Sequence, residues 1–224
     1  MRTSILHRFK NREDAGRKLA RSLEKYATDE NAVILAFPNG GVPVAVEIAK
    51  HLNKPMDVFL VSKICLPDSR EIPLGAITNG GVKVLNSEMI DRMRLNPSHI
   101  SAAVLHGAQE LDRKEKLYRG DHPPLDVAEK TVILVNDGLT NCAVFRDAIH
   151  LLRQQHAGRI IVALPAASRH DTYSLALEAD EVVTLAESDS NCSPEHWFKH
   201  FSRATDEKIC LLLTEIWSGS PVLE

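Results

Sequence analysis

Residues 132–144 read VILVNDGLTNCAV. A short uncharged run, rich in β-branched residues, stops at Asn136-Asp137-Gly138, and a helical pattern then continues to about residue 155. An apolar run of that length ending in a turn signal suits a strand buried on both faces. Gly138 relaxes the turn that follows. Such a strand carries Asn136 and Asp137 past its carboxyl end, which is where ligands sit in open parallel sheets. The helix start beside them offers free N–H groups that suit a phosphate. The plainer alternative is an ordinary Asp-Gly turn with Asn141 as an ordinary helix cap, and spacing by itself leans that way.

The same grammar recurs outward from this stretch. AVILAF (32–37) is followed by PNGG (38–41) and then by VPVAVEIAKHL, in which Val44, Ala45, Ile48, Ala49 and Leu52 repeat at helical spacing. MDVFLVS (56–62), RIIVALP (159–165) and the weaker EVVTL (181–185) complete five strand candidates, and helical patterns over 141–155 and 168–179 separate the later ones. Strands alternating with helices imply βαβ crossovers, so the expected class is α/β: a doubly wound, mainly parallel five-stranded sheet with flanking helices. Asn11 is placed to cap a first helix over 12–27 whose Ala15, Leu19, Leu23 and Tyr26 share a face. Between the second and third strands lies an insertion, with the Asn-Gly punctuation of a hairpin in GAITNGGVKVL (75–85), followed by a charged helix over 98–118 and a loop over 120–126. A closing helix spans 205–217. Residues 1–224 read as one domain.

Composition narrows the classes of function. The 224 residues are 44% hydrophobic and 25% charged with a formal net charge of -3, which gives a globular protein without the basic footprint of a nucleic-acid binder. The mixed charges of QELDRKEKLYR (109–119) read as a solvated face. Cys65, Cys142, Cys192 and Cys210 form no CxxC pair, so neither a disulfide scaffold nor a zinc ribbon is indicated; Cys65 and Cys142 read as small buried residues. A reducing compartment, no apolar signal core and no membrane-length apolar run make the chain read as cytoplasmic. Cys192, His196 and His200 resemble a zinc spacing, but Pro194 and Ser193 place Cys192 outside any helix, and a solvated His pair beside core aromatics Trp197, Phe198 and Phe201 is the expectation. GxSxG, Walker and GxGxxG motifs are absent.

ILVNDGLTNCAV resembles the phosphoribosyl-pyrophosphate motif of type I phosphoribosyltransferases. NREDAGRKLA, ILAFPNGGVPVAVEIA, KICLPDSREIPLGA and WFKHFSRATDE extend the likeness, in order along the chain, to a bacterial and archaeal subgroup of these proteins whose substrate is not generally assigned. The resemblance puts Asp137 and Asn136 on the ribose hydroxyls, and Gly138 with Leu139, Thr140, Asn141, Cys142, Ala143 and Val144 at the 5-phosphate. It puts Asn39, Gly40 and Gly41 on the pyrophosphate, together with Lys63. It implies Mg²⁺ bound through the substrate, and an insertion over 64–90 that forms a hood excluding water. Catalysis would consist of positioning both partners and stabilising the leaving group's charge.

The departures from that pattern all fall on one ligand. Asn136 stands where the motif has an aspartate, keeping an acceptor oxygen but losing its charge. Asn141, Cys142 and Val144 replace the Thr-Gly and hydroxyl residues of the phosphate loop, while Asn39 and Ser62 stand where basic residues are common. The expectation is a transferase of phosphoribose to a nitrogenous base with weak or lost activity. The alternative is a noncatalytic phosphate- or nucleotide-binding regulatory or interaction protein. Phosphoribosyl pyrophosphate or another phosphorylated small molecule is the expected partner, with no nucleic acid and no membrane, and a homo-oligomer left open.

Overall fold

A computed structural model of the chain describes residues 9–66, 69–138, 142–189, 193–202 and 204–219. Asn11 caps α1 (Arg12–Ser22) by accepting from the Asp14 N–H, and Ala15 and Leu19 bury its inner face. The helix ends earlier than its pattern suggested: a 3-10 turn, Glu24–Tyr26, keeps Leu23 and Tyr26 in the core. Then come β1 (Ala32–Ala36), α2 (Gly41–Leu52) and β2 (Met56–Val58). An insertion follows, made of β3 (Val61–Leu66), β4 (Ser69–Thr78), β5 (Lys83–Leu85), α3 (Ser87–Arg92) and α4 (Pro97–Tyr118). The chain returns through β6 (Thr131–Val135), α5 (Cys142–Gln154), β7 (Arg159–Ser168), α6 (Arg169–Ala176), β8 (Glu181–Ser188) and α7 (Asp206–Gly219).

The main sheet is parallel with strand order β2-β1-β6-β7-β8. β1 and β6 pair in register from Ala32 against Thr131 to Ala36 against Val135. Because the sheet is covered on both sides, alternate residues of each strand enter different cores. Ile34, Ala36, Ile133 and Val135 pack with α1, α2 and α7 residues on one face, while Val33, Leu35, Val132 and Leu134 pack with Phe145, Leu151 and Leu152 of α5 on the other. Among the described residues no helix is long and apolar enough to cross a membrane.

One strand expectation fails in the structure. The single strand expected over 56–62 is two. Phe59 N–H still reaches the Ala36 carbonyl, the last residue of β1, and with no partner beyond it the chain turns away to pair Val61 with Thr78 in the antiparallel sheet β3-β4-β5. Ser62 and Lys63 therefore belong to the first strand of the hood, not to the end of a core strand. The segment carrying His196 is one 3-10 turn, Pro194–Trp197, after which Phe198 bridges to Phe9. His196 and His200 are exposed, Cys192 lies outside the described residues, and no cluster of three metal-ligating side chains occurs among those described. Trp197 and Phe198 are core residues; Phe201 is 37% exposed and lies over an arginine instead.

Candidate functional site

The strand order reverses direction between β1 and β6, so their carboxyl ends stand side by side with a crevice above them. Phe37 N–H donates to the Val135 carbonyl at 3.1 Å, carrying the pairing past the end of β1. The Pro38–Asn39–Gly40 turn then bends into α2 with Asn39 at φ 63°, a left-handed conformation that Asn tolerates better than most side chains. Gly40 is required by close approach: a Cβ there would overlap the Asp137 carboxyl group, and one on Gly41 would lie 2.6 Å from the Val135 carbonyl oxygen. The start of α2 is thereby pressed against the Asn136-Asp137 turn.

Above this junction is a cavity of about 650 Å³. Of the residues singled out in the sequence, Asn39, Gly40, Lys63, Asn136, Asp137, Ala143 and Val144 line it. Gly41, Gly138 and Cys142 are not among the lining residues, and Leu139, Thr140 and Asn141 lie outside the described residues. α5 begins at Cys142 and turns its first residues, Ala143 and Val144, to the cavity. Burial pushes the Cys142 thiol up, so it stays a neutral thiol near neutral pH. The hood supplies the opposite wall with Val61, Ser62, Lys63, Pro73 and Ala76. Phe37, edge-on to both Phe59 and Phe145, forms an aromatic side.

Two lining cations were not read from the sequence. Arg12 reaches across from α1 to Asp137: its Nε and Nη2 each lie 2.8 Å from Oδ2, its Nη1 donates to the Ser202 carbonyl, and its guanidinium lies 4.3 Å from the centre of the Phe201 ring. Burial holds the Asp137 carboxyl above its ordinary range, and Arg12 opposes that without reversing it. Lys114 of α4 donates from Nζ to the Val61 carbonyl at 3.1 Å, and burial, with Arg113 and Lys63 nearby, lowers its pKa. Both residues had a signal. Arg12 stands three residues before Ala15, on the apolar stripe of α1; Lys114 stands between Leu111 and Tyr118, on the stripe that α4 buries. A cation on the buried face of an amphipathic helix has to be held by something.

Glu110 and Asp147 also line the cavity, so Arg12, Lys63 and Lys114 are balanced by Glu110, Asp137 and Asp147. Burial pushes the Asp147 carboxyl up as well. The site thus offers helix-start N–H groups, two lysines under the hood and a carboxylate gripped by an arginine. That set suits a ligand with anionic groups at the floor and an uncharged, flat portion against Phe59, Val61 and Pro73.

Comparison with known proteins gives the family of the chain. The phosphoribosyl transferase domain description matches residues 2–197. Mycobacterium tuberculosis proteins of two strains, each named "Putative phosphoribosyl transferase", are 31% identical over 205 residues, covering 92% of this chain and 46% of theirs. The chain therefore spans about half the length of the curated relatives it matches. The crystal structure of TT1426 from Thermus thermophilus superposes with a TM-score of 0.81 at 31% identity, covering 93% of this chain and 98% of that one.

Proposed function

We infer that this chain, which belongs to the phosphoribosyl transferase domain family, binds phosphoribosyl pyrophosphate in the cavity above β1 and β6 and transfers its phosphoribose slowly to a nitrogenous base. The observation that carries the reading is convergence: two helix starts, a diol-sized polar turn, Lys63 of the hood and Lys114 of α4 face one space of about 650 Å³. In the reaction the bond from the sugar carbon to pyrophosphate breaks, pyrophosphate leaves with the electron pair, and a ring nitrogen of the base forms the new bond and loses its proton to solvent. The start of α5 would hold the 5-phosphate and Asn136 with Asp137 the ribose hydroxyls. Asn39, Gly40, Lys63 and Lys114 would face the pyrophosphate, and the hood would keep out water.

A Mg²⁺ would come with the ligand, as the family resemblance implies, and Asn136 and Asp137 would be the residues to hold it. When bound it would neutralise the leaving pyrophosphate. The balance of cations and carboxylates in the lining supports weak binding of so anionic a ligand. A second reading, that of a noncatalytic phosphate or nucleotide binder, draws on Arg12. One oxygen of Asp137, the residue expected on the ribose, is already taken by that guanidinium.

Titration with phosphoribosyl pyrophosphate, with and without Mg²⁺, followed by an assay of pyrophosphate release in the presence of common bases, tests both readings. Weak, Mg²⁺-strengthened binding with slow release is expected. Micromolar binding with brisk release would remove the argument for degeneracy. Binding of inorganic phosphate or a nucleotide with no release from any base would favour the noncatalytic reading.

A further inference from the structure

Arg12 occupies an unfavourable place for a cation. It is the first residue of α1, at the helix end whose free N–H groups carry partial positive charge, and its side chain is only 10% exposed. Burial and the helix end both disfavour a guanidinium there. The carboxylates beside it in the first turn, Glu13 and Asp14, are paired with Lys208 and Lys18. What offsets these costs is Asp137: Arg12 Nε and Nη2 both meet Oδ2 at 2.8 Å, while the Ser202 carbonyl and the Phe201 ring hold the rest of the group. The guanidinium therefore stands on the carboxylate to which the proposed function assigns the ligand's Mg²⁺.

Asp137 carries one negative charge, and its neighbour in the turn adds no second. Asn136, in the same cavity lining, is neutral. With an aspartate at 136, two adjoining carboxylates would hold a guanidinium and a divalent cation side by side. With Asn136 the two cations share one charge in a partly buried place, where like charges repel more strongly than in water. Asp137 has little room to separate them by turning aside, because the start of α2 is packed so closely on its carboxyl group that a Cβ on Gly40 would overlap it. The other carboxylates of the lining, Glu110 and Asp147, come from α4 and α5, and Lys63 and Lys114 add positive charge to the same space.

We propose that Arg12 and a divalent cation compete for Asp137, so that a metal is held at this turn less tightly than Asp137 alone would hold it. Arg12 is then a positioning residue: it fixes the carboxylate and sets how far ligand binding depends on Mg²⁺. The inference rests on the proposed function for its meaning, since that reading brings the metal to the turn, but the competition itself is a property of the two side chains.

The test uses the full chain with Mn²⁺ alone, whose paramagnetism broadens the ¹H–¹⁵N signals of nearby amides; those of Gly40 and Asp137 are followed. Arg12→Gln should lose these signals at about tenfold lower Mn²⁺ than the parent, and adding Asp137→Asn should remove that gain. A merely structural role for Arg12 predicts the opposite direction, since a disordered turn binds metal worse. In Asn136→Asp, where a second carboxylate relieves the competition, Arg12→Gln should gain less than it does in the parent. If Arg12→Gln does not fold, Arg12→Lys carries the comparison, because one ammonium cannot make all the contacts of the guanidinium, and Mn²⁺ should again act at lower concentration than in the parent. Three results would overturn the proposal: no difference in Mn²⁺ response between the parent and the Arg12 variant, a gain that survives Asp137→Asn, or a gain as large in Asn136→Asp as in the parent. No phosphoribosyl pyrophosphate enters this measurement, so a protein that fails to bind that ligand refutes the proposed function and leaves this outcome to be read separately.

Discussion

Two buried arginine–aspartate pairs stand at opposite ends of this molecule's chemistry, Arg119–Asp57 between β2 and the loop returning from α4, and Arg12–Asp137 in the cavity above β1 and β6. They look alike in distance and burial, at 2.9 and 2.8 Å with all four side chains at or below 10% exposure. They differ in how the carboxylate is satisfied. Asp57 accepts from the Val58 N–H at Oδ1, and from Arg119 and the Leu125 N–H at Oδ2, so it ties β2 to the returning loop from three sides. Asp137 has its Oδ2 on Arg12 and faces a cavity, and its carboxyl is held above the ordinary range by burial. A carboxylate saturated by backbone N–H groups is a fastener, whereas one held by a single side chain at the edge of a cavity has capacity left for a ligand.

The sharpest way to break this comparison is to remove each carboxylate. Asp57→Ala leaves Arg119 buried without its main counter-charge and frees two backbone N–H groups, and should destabilise the protein by about 3 to 5 kcal/mol in urea unfolding. Asp137→Ala should cost less, about 1 to 3 kcal/mol, because Arg12 keeps the Ser202 carbonyl and the Phe201 ring and has the cavity beside it. Equal losses would mean that both pairs are fasteners and would leave Asp137 without a distinct role.

A smaller effect separates binding from stability. In Gly40→Ala the new methyl group overlaps the Asp137 carboxylate, and that short side chain is held in place by Arg12. The carboxylate must move, so affinity for phosphoribosyl pyrophosphate should fall by about tenfold, roughly 1.4 kcal/mol, with unfolding shifted by about 1 to 3 kcal/mol. Asn136→Asp, Asn39→Arg and Cys142→Gly together should raise that affinity by about tenfold. They should also lower stability by roughly 2 kcal/mol, since Asn39 is left-handed and Cys142 opens a helix. A gain in affinity without that loss would show that Asn39 is not retained for its backbone. The departures from the family pattern therefore have two readings at residue 39: a missing charge, and a side chain suited to φ 63°.

What was legible in the sequence follows the same division. The main sheet was readable because its strands are buried on both faces, so the run of apolar residues is continuous and the turn residues punctuate it. The floor residues Asn39, Gly40, Asn136 and Asp137 were readable because the topology of an open parallel sheet sends strand ends to the ligand. The division of MDVFLVS into β2 and β3 was not, since an apolar run says nothing about which sheet its second half joins. Arg12 and Lys114 were missed because a residue contributed by a helix side reaches the site through packing between elements distant in sequence. Their position on buried stripes marks them only as exceptions to be explained. The residues 139–141, on which the phosphate-loop expectation rests, lie outside those described.

The smallest effect concerns Lys114, and it depends on pH. Burial is the main cause of its lowered pKa, so folding disfavours the charged form relative to the ordinary lysine value of 10.5. The sign follows from linkage. Below the folded-state value the native protein holds a half-buried ammonium at a cost; as pH rises through that value the proton leaves and the cost fades, and above 10.5 both states are neutral. Lys114→Met should therefore be slightly more stable than the parent at pH 7, with the gap closing as the solution becomes alkaline, measured by urea unfolding across that range. Affinity for pyrophosphate should move oppositely. In the parent it should weaken as pH rises through a range below that of an ordinary lysine, by about threefold, and Lys114→Met should bind less tightly at pH 7 and lack that step. Lys63→Met, which removes an exposed lysine on β3, should keep the step. If the step survives Lys114→Met and vanishes with Lys63→Met, the half-buried lysine is a strut for the Val61 carbonyl and the exposed one alone meets the ligand.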